Sequence, residues 1–224
     1  LSLHDALPIS KLLKRRILAL APHADDIEIG MGGSIARFID EGYDVKIINV
    51  TLPIEDSNGD FSLKSKDTRL NEANKSAQIL GATMEVIDIN PYELSHSREL
   101  VNKFDKIVKD YNPSDIFMTW EHDSHQDHQI LAKIIYSATR KNHCSLYMYE
   151  TMIPGGISTE AFRPQLFINI SEYIDKKRQS IEAYESVFGH NEISEAILGR
   201  ASFRGSQIGV KYAEAFEIVK DIVY

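Results

Sequence analysis

The sequence predicts an α/β fold, a mostly parallel β-sheet flanked by helices. Three observations carry that expectation. Short β-branched or fully apolar runs alternate along the chain with longer segments of helical period. No internal repeat or low-complexity stretch interrupts the alternation, and no linker divides it. Two clusters of titratable residues fall directly after two of the apolar runs, at the place where open parallel sheets bind their ligands.

The elements follow in order. Residues 15–21 (RRILALA) read as a buried strand. Residues 31–41 read as a helix with Ile35, Ala36, Phe38 and Ile39 on one face and Gly42 at the position of a C-terminal cap. DVKIINVT, residues 44–51, is a β-branched strand. The segment from Leu52 to Ser65 is rich in turn formers and reads as a loop. Residues 66–80 form a helix stopped by Gly81, and MEVIDI, residues 84–89, a strand. Residues 97–111 carry Leu100, Val101, Phe104, Ile107 and Val108 at helical spacing. SDIFMTW, residues 114–120, is a strand. A helix begun near His125 runs on through residues 129–141. SLYMYE (145–150) and QLFINI (165–170) are further strands, and two or three helices are expected to finish the chain. Strands alternating with helices imply parallel pairing through crossovers.

The 224 residues suit one domain. Residues 15–224 are assigned to it, and the leader 1–14, which has no clear period, is expected to be disordered or non-native. At 43% hydrophobic and 26% charged, the composition supports a sizeable core. A net charge of −8 argues against a nucleic-acid partner, which asks for a basic face. Cys144 is the single cysteine, so no internal disulfide forms. No apolar run reaches the ~18 residues of a membrane span, and the run 17–21 is shorter than the roughly seven residues of a signal core. A cytoplasmic protein with no membrane segment is expected. Nothing in the sequence sets the oligomeric state, and a homo-oligomer is compatible with it.

The first cluster is His23-Ala24-Asp25-Asp26, after the first strand. The second, WEHDSHQDH, holds three of the eight histidines, His122, His125 and His128, with Asp123 and Asp127 between them. Positions three apart share a helix face, so His125 and His128 can point into one site. Taken singly, a histidine at a strand end is ordinarily structural, and an Asp pair after a strand is ordinarily a helix N-cap. Together, on one sheet edge, the clusters supply His23, Asp26 and His128, two histidines and a carboxylate that match a three-ligand catalytic zinc site. A carboxylate beside such a metal can take a proton from water, and a histidine can stabilise an oxyanion or protonate a leaving amine. The same donor set also describes non-haem Fe(II) enzymes, and Fe²⁺ or another divalent ion is the alternative to Zn²⁺. Gly30-Met31-Gly32-Gly33 lacks the spacing of a dinucleotide loop and reads as room for close backbone approach to the site.

APHADDIEIGMGG followed by HDSHQDH resembles the PIG-L/LmbE-like family of zinc-dependent N-acetylglucosaminyl deacetylases, whose patterns are His-Pro-Asp-Asp-Glu and His-Pro-Asp-His. TRLNEANKSAQILGA is similar to the family's Arg-x-x-Glu helix. FRPQLFINIS and RASFRGSQIGVKYAEAF resemble the C-terminal part of its sugar-biosynthesis members. The resemblance covers nearly all of the chain after Lys14. It implies a Rossmann-like sheet, with His23, Asp26 and His128 as zinc ligands and Asp25 as general base. It further implies that His125 is the carbonyl-polarising residue or general acid, Asp127 its catalytic support orienting a histidine, and Arg69 the substrate-binding residue. The implied substrate is a small N-acetylated sugar or its conjugate. Ala24, Ile27 and Gln126 depart from the family's Pro, Glu and Pro, and none of these changes removes a ligand or the base. A non-catalytic, metal-containing sugar-binding protein is the alternative of a different class. His122 and Asp123 are equally compatible with a pocket and with a solvated loop, and Arg200 and Arg204 with a phosphate site and with ion pairs.

Overall fold

The computed structural model describes residues 15–52, 63–151, 158–188 and 192–223. The expectations for the leader and for most of the 52–65 loop lie outside them. Strand β1 (Arg16–Ala21) is followed by α1 (Asp26–Asp40), β2 (Asp44–Asn49), α2 (Leu63–Leu80), β3 (Thr83–Val86) and α3 (Arg98–Tyr111). Next come β4 (Asp115–Thr119), α4 (Gln126–Thr139), β5 (Ser145–Tyr149) and β6 (Leu166–Asn169). Helices α5 (Ile174–Glu182), α6 (Glu185–Phe188) and α7 (Glu192–Gln207) precede a last strand, β7 (Ala213–Lys220). The seven strands make one sheet in the order β3-β2-β1-β4-β5-β7-β6.

The first five strands pair in parallel. Their side chains alternate between two helical layers, as the two-residue period of a strand requires. Leu18, Leu20, Ile116, Met118 and Leu146 face α3 and α4, where Phe104, Val108, Leu131 and Ile135 close the core. Ile17, Ala19, Ala21, Ile47 and Phe117 face α1, through Ile27, Met31 and Ile35. Ser97 caps α3, its side chain accepting from the Leu100 N–H, and Asn112 ends the helix in the left-handed region.

Two expectations need correction. Three helices follow β6 as expected, but a strand, β7, comes after them. β7 inserts antiparallel between β5 and β6, and this pairing overrides the helical propensity of its Ala and Glu residues. Helix α1 begins at Asp26, five residues before its expected start at Met31. Met31 itself is non-helical, with φ −147° and ψ 18°, so the expected start coincides with a break inside the helix.

The glycines around that break allow close approach of core side chains, Tyr149 at Gly30 and Ile170 at Gly33. A Cβ on Gly30 would sit 2.2 Å from Cδ2 of Tyr149, whose hydroxyl donates to the Leu20 carbonyl at the end of β1. Gly30→Ala is therefore expected to lower stability by about 1–3 kcal/mol, the usual overpacking penalty. Gly199→Ala is the control, because its Cβ meets nothing within 4 Å in α7. That variant should gain roughly 0.5–1 kcal/mol from the better helix former. Urea unfolding of both variants checks the pair.

Candidate active site

β1 and β4 are neighbours in the sheet, with Ala19 beside Phe117. Residues 22–26 and 120–128 therefore leave the same sheet edge side by side. Thr51, just beyond β2, holds the first loop by donating through its N–H (2.9 Å) and its hydroxyl (2.7 Å) to the Pro22 carbonyl. Asp26 folds the loop back, its Oδ2 accepting from the His23 N–H at 3.0 Å.

Asp26 is 5% exposed and lies between two imidazoles. Its Oδ2 is 3.3 Å from His23 Nδ1 and its Oδ1 is 3.2 Å from His128 Nε2. The far nitrogen of each ring meets a second carboxylate: His23 Nε2 lies 3.0 Å from Asp127 Oδ2, and His128 Nδ1 lies 2.9 Å from Asp123 Oδ2. With Asp127 and Asp123 accepting the outer ring protons, the inner nitrogens face Asp26 and would turn lone pairs to a cation that displaced their own protons. Carboxylate-backed imidazoles of this kind are the usual surroundings of a divalent metal, so this donor set fits one. His23, His125 and His128 each also offer a ligand atom within 4.8 Å of the others.

His125 is bound differently. It is the N-cap of α4, and its Nδ1 accepts from the Asp127 N–H at 3.2 Å. A neutral ring with Nδ1 as acceptor carries its proton on Nε2. Burial, together with the charges of His23 and His128, lowers its pKa and favours that neutral form. Its ring centroid is 4.6 Å from that of His23 and 5.0 Å from that of His128.

The adjacent carboxylates separate electrostatically. Burial alone would raise the pKa of Asp26, but His128 and His23 hold it well below the carboxylate range. Asp25 is pushed up to about 8 by burial and by the charge of Asp26, against the opposing pull of His23 and Arg69. Its φ of 130° is a strained value for a residue with a Cβ, and its side chain makes no cap hydrogen bond to α1. Burial lowers the basicity of His23 and His128, yet their carboxylate partners prevail and lift them to about 10 and about 9. Such values describe a site whose negative charge asks for a cation.

Arg69, on α2, has a buried Nη1 without a hydrogen-bond partner. Its closest carboxylate, Glu72, is 4.0 Å away and is itself occupied by the N–H and hydroxyl of Ser186.

Of the two residues left open by the sequence, Asp123 is buried and organises the loop, while the His122 side chain is 43% exposed. Asp123 accepts from the His125 N–H (2.9 Å), from His128 Nδ1 and from the Thr151 hydroxyl. The Asp-x-His spacing, which allows a side chain to accept from the N–H two residues on, is the sequence signal for it. Arg204 forms a two-pronged pair with Glu150, at 2.9 and 2.7 Å. Arg200 donates to the Ile29 carbonyl. Both thus have internal partners.

The family model described as PIG-L, GlcNAc-PI de-N-acetylase, matches residues 18–139, more than half of the chain. The chain is 27% identical over 93% of its length to the diacetylchitobiose deacetylase of Thermococcus kodakarensis, covering 84% of that protein. It is 22% identical to the 4-oxalmesaconate hydratase of Pseudomonas putida, over 75% of this chain and 72% of the hydratase. Among solved structures, the N,N'-diacetylchitobiose deacetylase of Pyrococcus horikoshii superposes with a TM-score of 0.80 at 22% identity, covering 97% of this chain and 88% of that one. Among the described residues no helix is long and apolar enough to cross a membrane. The sheet order, the paired motifs and the matched family model lead to one conclusion: the chain belongs to the PIG-L family.

Proposed function

We propose that the protein is a metal-dependent N-deacetylase that hydrolyses the acetyl amide of an amino sugar or its conjugate, giving acetate and a free amine. The observation that carries this reading is Asp26 set between two histidines that are each backed by a further carboxylate. Membership of the PIG-L family and relatives named as deacetylases support it.

His23, Asp26 and His128 would hold the metal, with Zn²⁺ the first choice. Asp127 and Asp123 orient the two rings. When bound, such an ion supplies Lewis acidity that brings the pKa of a water down to about 7. The chain's own groups do the rest. Asp25, free of cap bonding and lifted toward neutrality, accepts a proton from the attacking water. His125 turns its Nε2–H to the carbonyl oxygen of the amide and stabilises the charge that develops there. As the C–N bond breaks, the amine takes up the proton held by Asp25. Arg69 brings its unpaired guanidinium N–H to a hydroxyl or carbonyl of the sugar.

Asp25→Asn should retain stoichiometric zinc and lose activity by about 10²–10⁴-fold, the range for a positioned base. Acetate release from a panel of N-acetylated sugars reads this out, and full activity in that variant removes Asp25 from the role. Acetate as the product also separates deacetylation from the hydration chemistry of the Pseudomonas relative. Turnover that is independent of oxygen excludes an Fe(II) oxygenase, and saturable binding without acetate would leave a sugar-binding protein.

His128→Ala should lose its metal under dialysis that leaves the wild type loaded, as elemental analysis would report. The metal-free protein has its own signature. Between about 4 and about 8, native Asp25 keeps a proton that the unfolded chain has released, so its contribution to stability falls as pH rises. In the presence of chelator, the Tm of Asp25→Asn minus that of the wild type should grow across this window. A gap that stays constant with pH contradicts the raised pKa.

A further inference from the structure

Outside the histidine cluster, the most unusual chemistry lies beneath α1. A buried lysine, Lys177 on α5, and a buried glutamate, Glu214 on β7, form an ion pair at 2.5 Å, with side chains 1% and 3% exposed. Burying such a pair is expensive and tends to be neutral or unfavourable unless further hydrogen bonds complete it. Here the bonds are complete, and they all go to one place. Lys177 Nζ donates to the carbonyls of Glu28 and Ile29, both at 2.9 Å. Glu214 accepts from the N–H groups of Gly33 (3.0 Å) and Ser34 (2.7 Å).

Those four backbone groups flank Met31, where α1 leaves helical geometry. At such a break the last carbonyls of the upstream turn and the first N–H groups of the downstream helix lose helical partners. The lysine serves the carbonyls and the glutamate serves the N–H groups, each with the charge the exposed helix end favours. The pair stands in for the rungs that a continuous helix would provide. The upstream piece is the single turn that carries Asp26 and follows Asp25. One turn has little stability of its own, so its direction depends on what grips it.

We propose that Lys177 and Glu214 are positioning residues: they hold α1 broken at Met31 and thereby aim the turn that presents Asp25 and Asp26 to the site. They touch neither substrate nor metal and act through backbone groups. This inference rests on the metal-dependent reading above for its functional consequence, but not for its structural one.

The test compares wild type, Lys177→Met and Glu214→Gln, with Lys177→Arg as the charge-keeping variant. Far-UV circular dichroism first establishes that each is folded. Amide exchange over residues 26–34 should accelerate in Lys177→Met and Glu214→Gln relative to the flanking strands. Zinc affinity by chelator competition should fall by about 10–100-fold, the range for groups that orient ligands. The Co²⁺ absorption spectrum should shift, and kcat should drop with KM little changed. Lys177→Arg should recover part of the affinity and of kcat.

A lowered Tm with unchanged exchange over 26–34, unchanged zinc affinity and unchanged kcat overturns the proposal and leaves the pair a staple of the core. If the wild type takes up no metal and releases no acetate, the functional reading fails by itself. The splint is then judged by amide exchange alone, and an unchanged pattern in a folded Lys177→Met overturns it. If Lys177→Met does not fold, Glu214→Gln, which keeps the shape and one acceptor, carries the same measurements.

Discussion

The constraint on which the site depends is the pairing of β1 with β4. These strands are separated in the chain by three α-helices and two strands, yet they run side by side in the sheet. Their ends deliver a carboxylate and an imidazole from one loop against imidazoles and carboxylates from the other. None of these groups is stable where it lies without the others. Asp26 alone would be a buried anion, and His128 alone a buried base with two unsatisfied nitrogens. The sheet contributes adjacency, and the charges contribute mutual need.

Rigidity is then layered around this contact. Thr51 fastens the Pro22 carbonyl to the chain beyond β2. Asp123 ties the loop after β4 to His125, His128 and Thr151. Tyr149 presses its ring on Gly30 and its hydroxyl on Leu20. Glu28, in the first turn of α1, is held by Ser76 from α2 and by Tyr184 between α5 and α6. Asp25, left without a cap bond, and Arg69 Nη1, left without a hydrogen-bond partner, are two of the groups to which the proposed reaction assigns work.

Much of this was legible in the sequence because it rests on local pattern. The period of the apolar residues located β1 to β5 and α2 to α4 within a few positions, and the titratable clusters after β1 and β4 marked the sheet edge where those groups meet. What was not legible depends on tertiary pairing. β7 mixes helix formers (Ala213, Glu214, Ala215, Glu217) with strand formers (Phe216, Ile218, Val219), and its place between β5 and β6 decides for the strand. The first turn of α1 was hidden because a helix broken at Met31 shows its period only after the break. Asp123 was ambiguous because its worth lies in a contact with His128, five residues away across a turn. The different surroundings of Asp25 and Asp26 follow from a positive φ that no residue type announces.

The adjacency of β1 and β4 also orders events in time. A zinc finger gathers its ligands from one short stretch and can be pulled into shape by the ion itself. Here the donors lie about a hundred residues apart in the chain, and they meet only after a crossover has been laid down and closed. Such a contact is slow to form because loop entropy is lost before any bond is gained. On the ribosome, the chain up to β4 and the turn beyond it must emerge before a site exists to fill. A metal ion held there would reward this fold once it is made and would not nucleate it, because the first cluster waits about a hundred residues for the second.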